Sequence, residues 1–254
     1  MTGYRQYCAE ARGFAFSDHD QGAFSDYRIV NSAFAYPIPD EISSVAAGPF
    51  MCAGASVFEA LDAAGTRSDH RVGVVGIGGL GHTAILFASA MGCAVTAISS
   101  SDNKAEDALK LGAREFRSLP KIQRRLQKGE AAWREDLAPM NIDVLLVTAN
   151  EVPDLEPIMP LLARRASIVL MTIQLGSISI PYMPFVLPGH KLIASTEASR
   201  ENHLRMLEFA ASHRIKPWTE VFPMTAQGVA EAFERLESGK MRYRGVLVRT
   251  GVEY

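Results

Sequence analysis

The middle of the chain alternates short apolar runs with longer stretches whose apolar residues recur at helical spacing. Apolar runs of this kind are typical of strands buried on both faces of a sheet. Their alternation with helices predicts an α/β fold, a doubly wound parallel sheet. The predicted strands are 72–75, 93–98, 142–147 and 167–171, and the predicted helices are 45–64, 82–91, 103–111 and 155–163.

Two flanks of different texture enclose this region. Residues 1–47 combine Gly, Ser, Asp and aromatic residues with short alternating runs, such as residues 24–30, which predict short strands and turns. In the second flank, beyond residue 190, the predicted strands are 191–195 and 245–248, and the predicted helices are 202–212 and 226–236. Neither flank is large enough to fold comfortably alone. The expected segments are a β-rich 1–50, a parallel-sheet domain 51–190 and a mixed 191–254.

Charge and composition exclude some classes of binding partner. Against 26 Lys and Arg stand 28 Asp and Glu, so the net charge of −2 supplies no field for nucleic acid or an anionic membrane. Residues 72–95 are apolar but contain six glycines, which favours a strand and turn over a membrane span. Cys8, Cys52 and Cys93 are too widely spaced for a CxxC pair, and they predict a reducing, cytoplasmic location.

The first candidate for chemistry is the glycine turn after the first predicted strand. Gly76, Gly78 and Gly81 form G-x-G-x-x-G, and a helix follows directly. In this context the first glycine allows a tight turn, the second lets backbone approach a pyrophosphate, and the third lets helix and strand pack closely. The helix N terminus then offers N–H groups to the phosphates. The alternative is a purely structural turn.

The residues after the second predicted strand favour NADP(H) over NAD(H). A site for NAD usually has a carboxylate here for the ribose 2′-hydroxyl, whereas this chain has Ser99, Ser100 and Ser101, with Lys104 one turn later. Hydroxyls and an ammonium group suit a 2′-phosphate. Asp102, a carboxylate close by in sequence, argues against a 2′-phosphate site; we assign it or Asn103 to capping the next helix. An ordinary serine loop is the alternative.

These features together resemble the medium-chain, zinc-type alcohol dehydrogenases, specifically the cinnamyl-alcohol-dehydrogenase-like branch. No single piece is specific, but the combination extends along nearly the whole chain. The matching stretches are QGAFSDY at 21–27, PFMCAGAS at 49–56, VVGIGGLGH at 74–82, ISSSDNK at 98–104, AFERL at 232–236 and MRYRGV at 241–246.

The resemblance implies a Rossmann cofactor domain and a partial, β-rich, GroES-like catalytic domain built from both chain ends. It also implies an NADP(H)-dependent alcohol dehydrogenase or aldehyde reductase, with an aldehyde or alcohol substrate, forming a homodimer. By the same match Thr172 replaces a usual glycine beside the nicotinamide. The implied cofactor-binding residues are Gly76, Gly78, Gly79, Leu80, Gly81, Ser99, Ser100, Lys104, Thr148, Ile173, Ser195 and Thr196; the implied catalytic residues are Cys52 and Ser56, and the implied zinc ligands are Cys52 and Cys8.

Zinc is where the chain departs from the family. The family's chain begins earlier, with a stretch that carries the other zinc ligands and most of a structural zinc lobe, of which Cys8 resembles the last cysteine. A catalytic zinc needs three protein ligands, and Cys52 alone cannot hold one. Three interpretations follow: an incomplete record of a zinc-dependent enzyme, which we favour; a short, zinc-free carbonyl or enone reductase; or a catalytically silent dinucleotide-binding protein.

Overall fold

The computed structural model describes residues 3–11, 22, 24–25, 27–127 and 141–249. The chain divides into two compact units. One unit combines residues 1–55 with residues 197–254, and the other comprises residues 56–196.

The unit of residues 56–196 is built on a six-stranded, all-parallel sheet with the strand order β3-β2-β1-β4-β5-β6. The strands in the middle of the sheet are nearly continuous apolar runs because both of their faces are buried; Val74, Ile98 and Leu145 have no exposed surface. This confirms the predicted doubly wound α/β fold. The strands are β1 (Arg71–Val75), β2 (Ala94–Ser99), β3 (Glu115–Ser118), β4 (Ile142–Val147), β5 (Leu162–Leu170) and β6 (Lys191–Ala194).

The strand register brings the candidate site residues to one edge. Val75 at the end of β1 pairs with Ile98 of β2 and with Val147 of β4. Ser99 at the end of β2 pairs with Ser118 at the end of β3. The loops after these strands therefore lie side by side at the carboxyl edge of the sheet, where open α/β folds bind their ligands.

Eight α-helices are described, two of which, α1 and α2, are joined by the π-helical turn Phe50–Gly54. The region of residues 72–95 is strand, glycine turn and helix, as predicted. A different run, Ser44–Ala63, is long and apolar enough to cross a membrane by length and composition, but 61% of its most apolar window is buried within the protein, as in an ordinary core helix. The helices are α1 (Ser44–Pro49), α2 (Ala55–Ala63), α3 (Gly81–Ala90), α4 (Ala105–Lys110), α5 (Leu119–Gln127), α6 (Tyr182–Val186), α7 (Arg200–Ser212) and α8 (Ala226–Glu237).

The predicted helix at 155–163 is wrong. That stretch contains a single 3-10 turn, Met159–Leu161, after which β5 begins at once. Its apolar residues have helical spacing because Leu155, Ile158 and Leu161 all face the core. Pro157 and Pro160 lack the amide hydrogens that a helix needs, so the chain does not continue as a helix.

The unit of residues 1–55 and 197–254 contains α1, α7, α8 and a two-stranded parallel sheet of β7 (Thr219–Pro223) and β8 (Arg244–Val248). The strands predicted within residues 1–47 are absent from the described part of that segment, which has two 3-10 turns, Arg5–Tyr7 and Ser32–Phe34. Extended backbone becomes a strand only when a neighbouring strand pairs with it. Residues 27–31 are not helical, but they have no such partner among the described residues.

Candidate dinucleotide-binding site

The turn between β1 and α3 depends on glycine at its first position. Gly76 has a φ of +89°, a conformation that L side chains rarely adopt. A Cβ atom there would also lie 2.7 Å from the backbone N and Cα of Ala149. The Gly76 amide donates to the Ile98 carbonyl at 2.8 Å, which closes the turn against β2.

The other two glycines of the motif have opposite surroundings. A Cβ on Gly81 would lie 1.8 Å from the Gly76 carbonyl oxygen, so only glycine allows the helix to approach the turn this closely. A Cβ on Gly78 would meet nothing within 4 Å. No side chain caps the N terminus of α3. Open space beside Gly78 and an uncapped helix N terminus are what a pyrophosphate requires.

Hydroxyl groups from neighbouring strand ends hold this turn in place. Thr148, directly after β4, has its Oγ1 2.8 Å from the Gly76 carbonyl oxygen and 3.0 Å from that of Val75. Thr172, after β5, donates to the Ala149 carbonyl at 2.8 Å. Because Ala149 packs against Gly76, Thr172 supports the turn from one loop further along the sheet edge.

Two side chains at the start of α3 also contact backbone carbonyl groups of the turn. The ring Nδ1 of His82 lies 3.1 Å from the Gly78 carbonyl oxygen, and the hydroxyl of Thr83 donates to the Gly79 carbonyl at 3.1 Å. Both side chains are fully buried. Gly79 and Leu80 are half-buried on the turn itself. These contacts hold the backbone of the turn in a fixed position before any ligand arrives.

The serine run and Lys104 lie at the same sheet edge. Ser99 is buried and accepts a hydrogen bond from the Ser101 amide at 3.4 Å, whereas Ser100 is exposed. The Lys104 ammonium donates to the Ile77 carbonyl at 2.7 Å. Lys104, although it follows β2, therefore reaches back to the glycine turn, and it places a positive charge beside the space next to Gly78.

The assignment of Asp102 or Asn103 to helix capping is wrong. No side chain caps α4, whose N-cap position is held by Lys104, and Asn103 accepts a hydrogen bond from the Ser101 hydroxyl. Asp102 instead forms an ion pair with Lys121 in the first turn of α5, with Oδ2 and Nζ 2.7 Å apart. The hydrogen bond from Lys121 lowers the pKa of the Asp102 carboxyl below its usual value.

The remaining cofactor candidates follow β5 and β6. Ser195, just after β6, is buried, and its hydroxyl finds no hydrogen-bond partner among the described residues. Thr196 beside it is exposed, and Ile173 after β5 is 87% exposed although it is apolar. An orphaned hydroxyl and an exposed isoleucine at a ligand-binding sheet edge are features that a bound molecule would satisfy.

Comparison with known proteins identifies the family of this chain. The family described as zinc-binding dehydrogenase matches residues 79–212, which is more than half of the chain. The chain belongs to the zinc-binding dehydrogenases.

Relatives of this dehydrogenase chain include plant and fungal enzymes. It is 33% identical over 248 residues to 1,2-dihydrovomilenine reductase of Rauvolfia serpentina, matching 95% of this chain and 65% of that protein. It is 33% identical over 242 residues to an NADP-dependent alcohol dehydrogenase of Saccharomyces cerevisiae, with 92% and 63% covered. The structure of a cinnamyl alcohol dehydrogenase of Sorghum bicolor superposes with a TM-score of 0.71 at 30% identity, covering 83% of this chain and 57% of that one. The chain thus spans just under two thirds of the curated relatives first matched, and the resemblance inferred from the sequence is confirmed.

The residues implied as zinc ligands do not form a zinc site in the described part of this dehydrogenase chain. Cys52 lies in the π-helical turn and Cys8 follows the first 3-10 turn; both thiols are free and exposed. Nowhere in residues 3–11 and 27–127 or 141–249 do three His, Cys, Asp or Glu side chains come together as metal ligands. The described residues therefore do not fit a catalytic zinc, which needs three protein ligands. Ser56, the other catalytic candidate, lies half-buried in the first turn of α2.

Two residues of this sheet edge had no assigned part in the sequence interpretation. The pairing of Lys121 with Asp102 joins residues 19 positions apart, which no local motif reveals. Thr172 was noted only as the replacement of a glycine. The glycine that the resemblance implies at this position was the available signal, but the contact with Ala149 depends on the register of β4 and β5.

Proposed function

We propose that this chain binds NADP(H) and transfers hydride between the nicotinamide and the carbonyl carbon of an aldehyde. The carbonyl π bond breaks as the hydride adds, and the resulting alkoxide takes a proton from solvent water to give the alcohol. The observation that carries this proposal is the Lys104 ammonium held at 2.7 Å on the carbonyl of Ile77, which places a cation beside a glycine turn that is open at Gly78. One of the related proteins is named an NADP-dependent alcohol dehydrogenase, which supports the same cofactor.

Each part of the sheet edge has a task in this proposal. The amides at the start of α3 bind the pyrophosphate, while Thr148 holds the turn that presents them. Ser99 and Ser100 with Lys104 bind the 2′-phosphate. Ser195, Thr196 and Ile173 contact the nicotinamide half, where the unpartnered Ser195 hydroxyl gains a hydrogen-bond partner. Bound NADPH supplies the hydride, and no step is assigned to Cys52, Cys8 or a zinc ion.

The activity is tested by mixing the chain with NADPH and a panel of aromatic and aliphatic aldehydes while following the loss of NADPH absorbance. We expect consumption that depends on both the aldehyde and the protein, and that is slower with NADH. A Gly78→Ala variant, which we expect to leave the fold intact because a Cβ there meets nothing within 4 Å, is the matched control for consumption that does not use this site. Tight NADPH binding without consumption for any aldehyde would instead identify a silent dinucleotide-binding protein.

We further propose that the chain forms a homodimer through the β6 edge of the sheet. The opposite edge strand, β3, carries the charged residues Glu115 and Arg117, which discourage pairing. The β6 edge has a single charged residue, Lys191 at its start; after it Leu192 is 40% exposed, and Leu187 at the end of α6 is 71% exposed. Exposed apolar groups beside an unpaired strand favour association with a second copy.

Replacing Leu192 with glutamate is expected to shift the protein from dimer to monomer, because it places charge on the apolar edge. Sedimentation velocity measures the change. Leu204→Glu is the control, since Leu204 is 38% exposed but lies on α7, in the other unit. A wild-type protein that sediments as a monomer at all concentrations would contradict the dimer.

A further inference from the structure

The Asp102–Lys121 ion pair lies beside the residues assigned to the 2′-phosphate. Asp102 belongs to the loop that follows β2, and Lys121 belongs to α5, which follows β3 directly. The two strands end in register, with Ser99 opposite Ser118. The loop of Ser99–Lys104 and the first turn of α5 are therefore neighbours at the carboxyl edge of the sheet.

A carboxylate in this loop is unfavourable for a 2′-phosphate unless another group neutralises it. Asp102 is the one acidic residue between Ser99 and Lys104. Its Oδ2 lies 2.7 Å from the Lys121 Nζ, and the Ser118 side chain also donates a hydrogen bond to it. The carboxylate that would otherwise favour a free 2′-hydroxyl is thus engaged by a cation from the neighbouring loop.

We propose that Lys121 is a specificity-determining residue that acts through Asp102. It cancels the charge of that carboxylate, so the serine loop accepts a phosphorylated ribose. The inference rests on the proposed NADP(H) site and extends it, because it assigns part of the cofactor choice to a side chain outside the glycine and serine motifs. Lys121 acts as a positioning residue, and Lys104 remains the cation that contacts the phosphate.

The size of the effect follows from Coulomb's law. A carboxylate about 7 Å from a doubly charged phosphate, in surroundings close to water, weakens binding about fivefold at low ionic strength and about twofold at physiological salt. The pair is exposed on the surface, with 66% of the Lys121 side chain and 54% of the Asp102 side chain accessible, so the value for water applies. NADH lacks the phosphate and is expected to bind almost unchanged.

The test is a double-mutant cycle on the full chain, with the dissociation constants of NADPH and NADH measured by calorimetry at low and high salt. Lys121→Met is expected to weaken NADPH binding about fivefold at low salt and NADH binding less than about twofold. Lys121→Arg keeps the charge and is expected to bind like wild type. Thermal melting of each variant checks that the exposed substitutions leave the fold intact.

The double variant Asp102→Asn with Lys121→Met decides between neutralisation and direct contact. It removes both charges of a neutral pair, so we expect NADPH affinity within about twofold of wild type. A double variant as weak as Lys121→Met, or a Lys121→Met variant with an unchanged NADPH to NADH ratio, overturns the inference while leaving the proposed NADP(H) site in place. A wild-type chain that binds neither coenzyme, or both equally, removes the proposed function and this inference together.

Discussion

Replacing Gly81 with alanine is expected to lower the free energy of unfolding by about 3 kcal/mol or more and to abolish coenzyme binding. The added Cβ would lie 1.8 Å from the Gly76 carbonyl oxygen and 2.9 Å from the Thr148 hydroxyl oxygen. The first of these atoms is backbone and cannot move aside cheaply. In an exposed helix the same substitution would stabilise by about 1 kcal/mol, so the sign of the effect is diagnostic. Denaturant unfolding measures it.

Gly78→Ala is the matched control for this variant. A Cβ at Gly78 meets nothing within 4 Å, so the unfolding free energy is expected to stay close to that of wild type. The methyl group would nevertheless occupy the space where the pyrophosphate approaches the backbone, and NADPH binding is expected to weaken by about tenfold or more. A stable Gly81→Ala protein would contradict the geometry of the turn. A Gly78→Ala protein with normal NADPH affinity would contradict the position of the phosphates.

Replacing Lys104 with methionine is expected to have the second largest effect. A charge-assisted contact with phosphate is worth about ten- to a hundredfold in affinity, so NADPH binding falls by that factor while NADH binding changes by less than about twofold. Equilibrium titration with both coenzymes measures the split. Lys104→Arg keeps the charge and is expected to retain most NADPH affinity. Equal losses for both coenzymes would show that the bond from Lys104 to the Ile77 carbonyl only supports the turn.

The strands that form the middle of the sheet could be predicted from sequence because their apolar character is set locally. β1 and β4 are buried at all but one position each, so their apolar residues form the short runs that indicate a strand even though β1 also contains Gly73 and β4 contains Asp143. The edge strand β3 was not predicted, because Glu115–Ser118 is partly exposed and mixes charged with apolar residues. The other edge strand, β6, was predicted because Leu192, Ile193 and Ala194 are all apolar, so charged residues and not the edge position alone concealed β3.

The candidate site likewise has one part that the sequence predicts and another that it does not. The glycine motif and the serine run are each a continuous stretch of sequence, and in the structure both lie at the carboxyl edge of the sheet. The contacts that support them are not local: Thr148 reaches back to Gly76, and Lys121 reaches Asp102 across the register of β2 and β3. Such contacts depend on strand order, which hydrophobic patterning does not specify.

The central claim is that the glycine turn and Lys104 form an NADP(H) site, and calorimetric titration of the whole chain with NADPH and then NADH tests it most directly. Our account predicts a single saturable site that binds NADPH at least about tenfold more tightly than NADH. No heat of binding with either coenzyme, or equal affinity for the two, would contradict it.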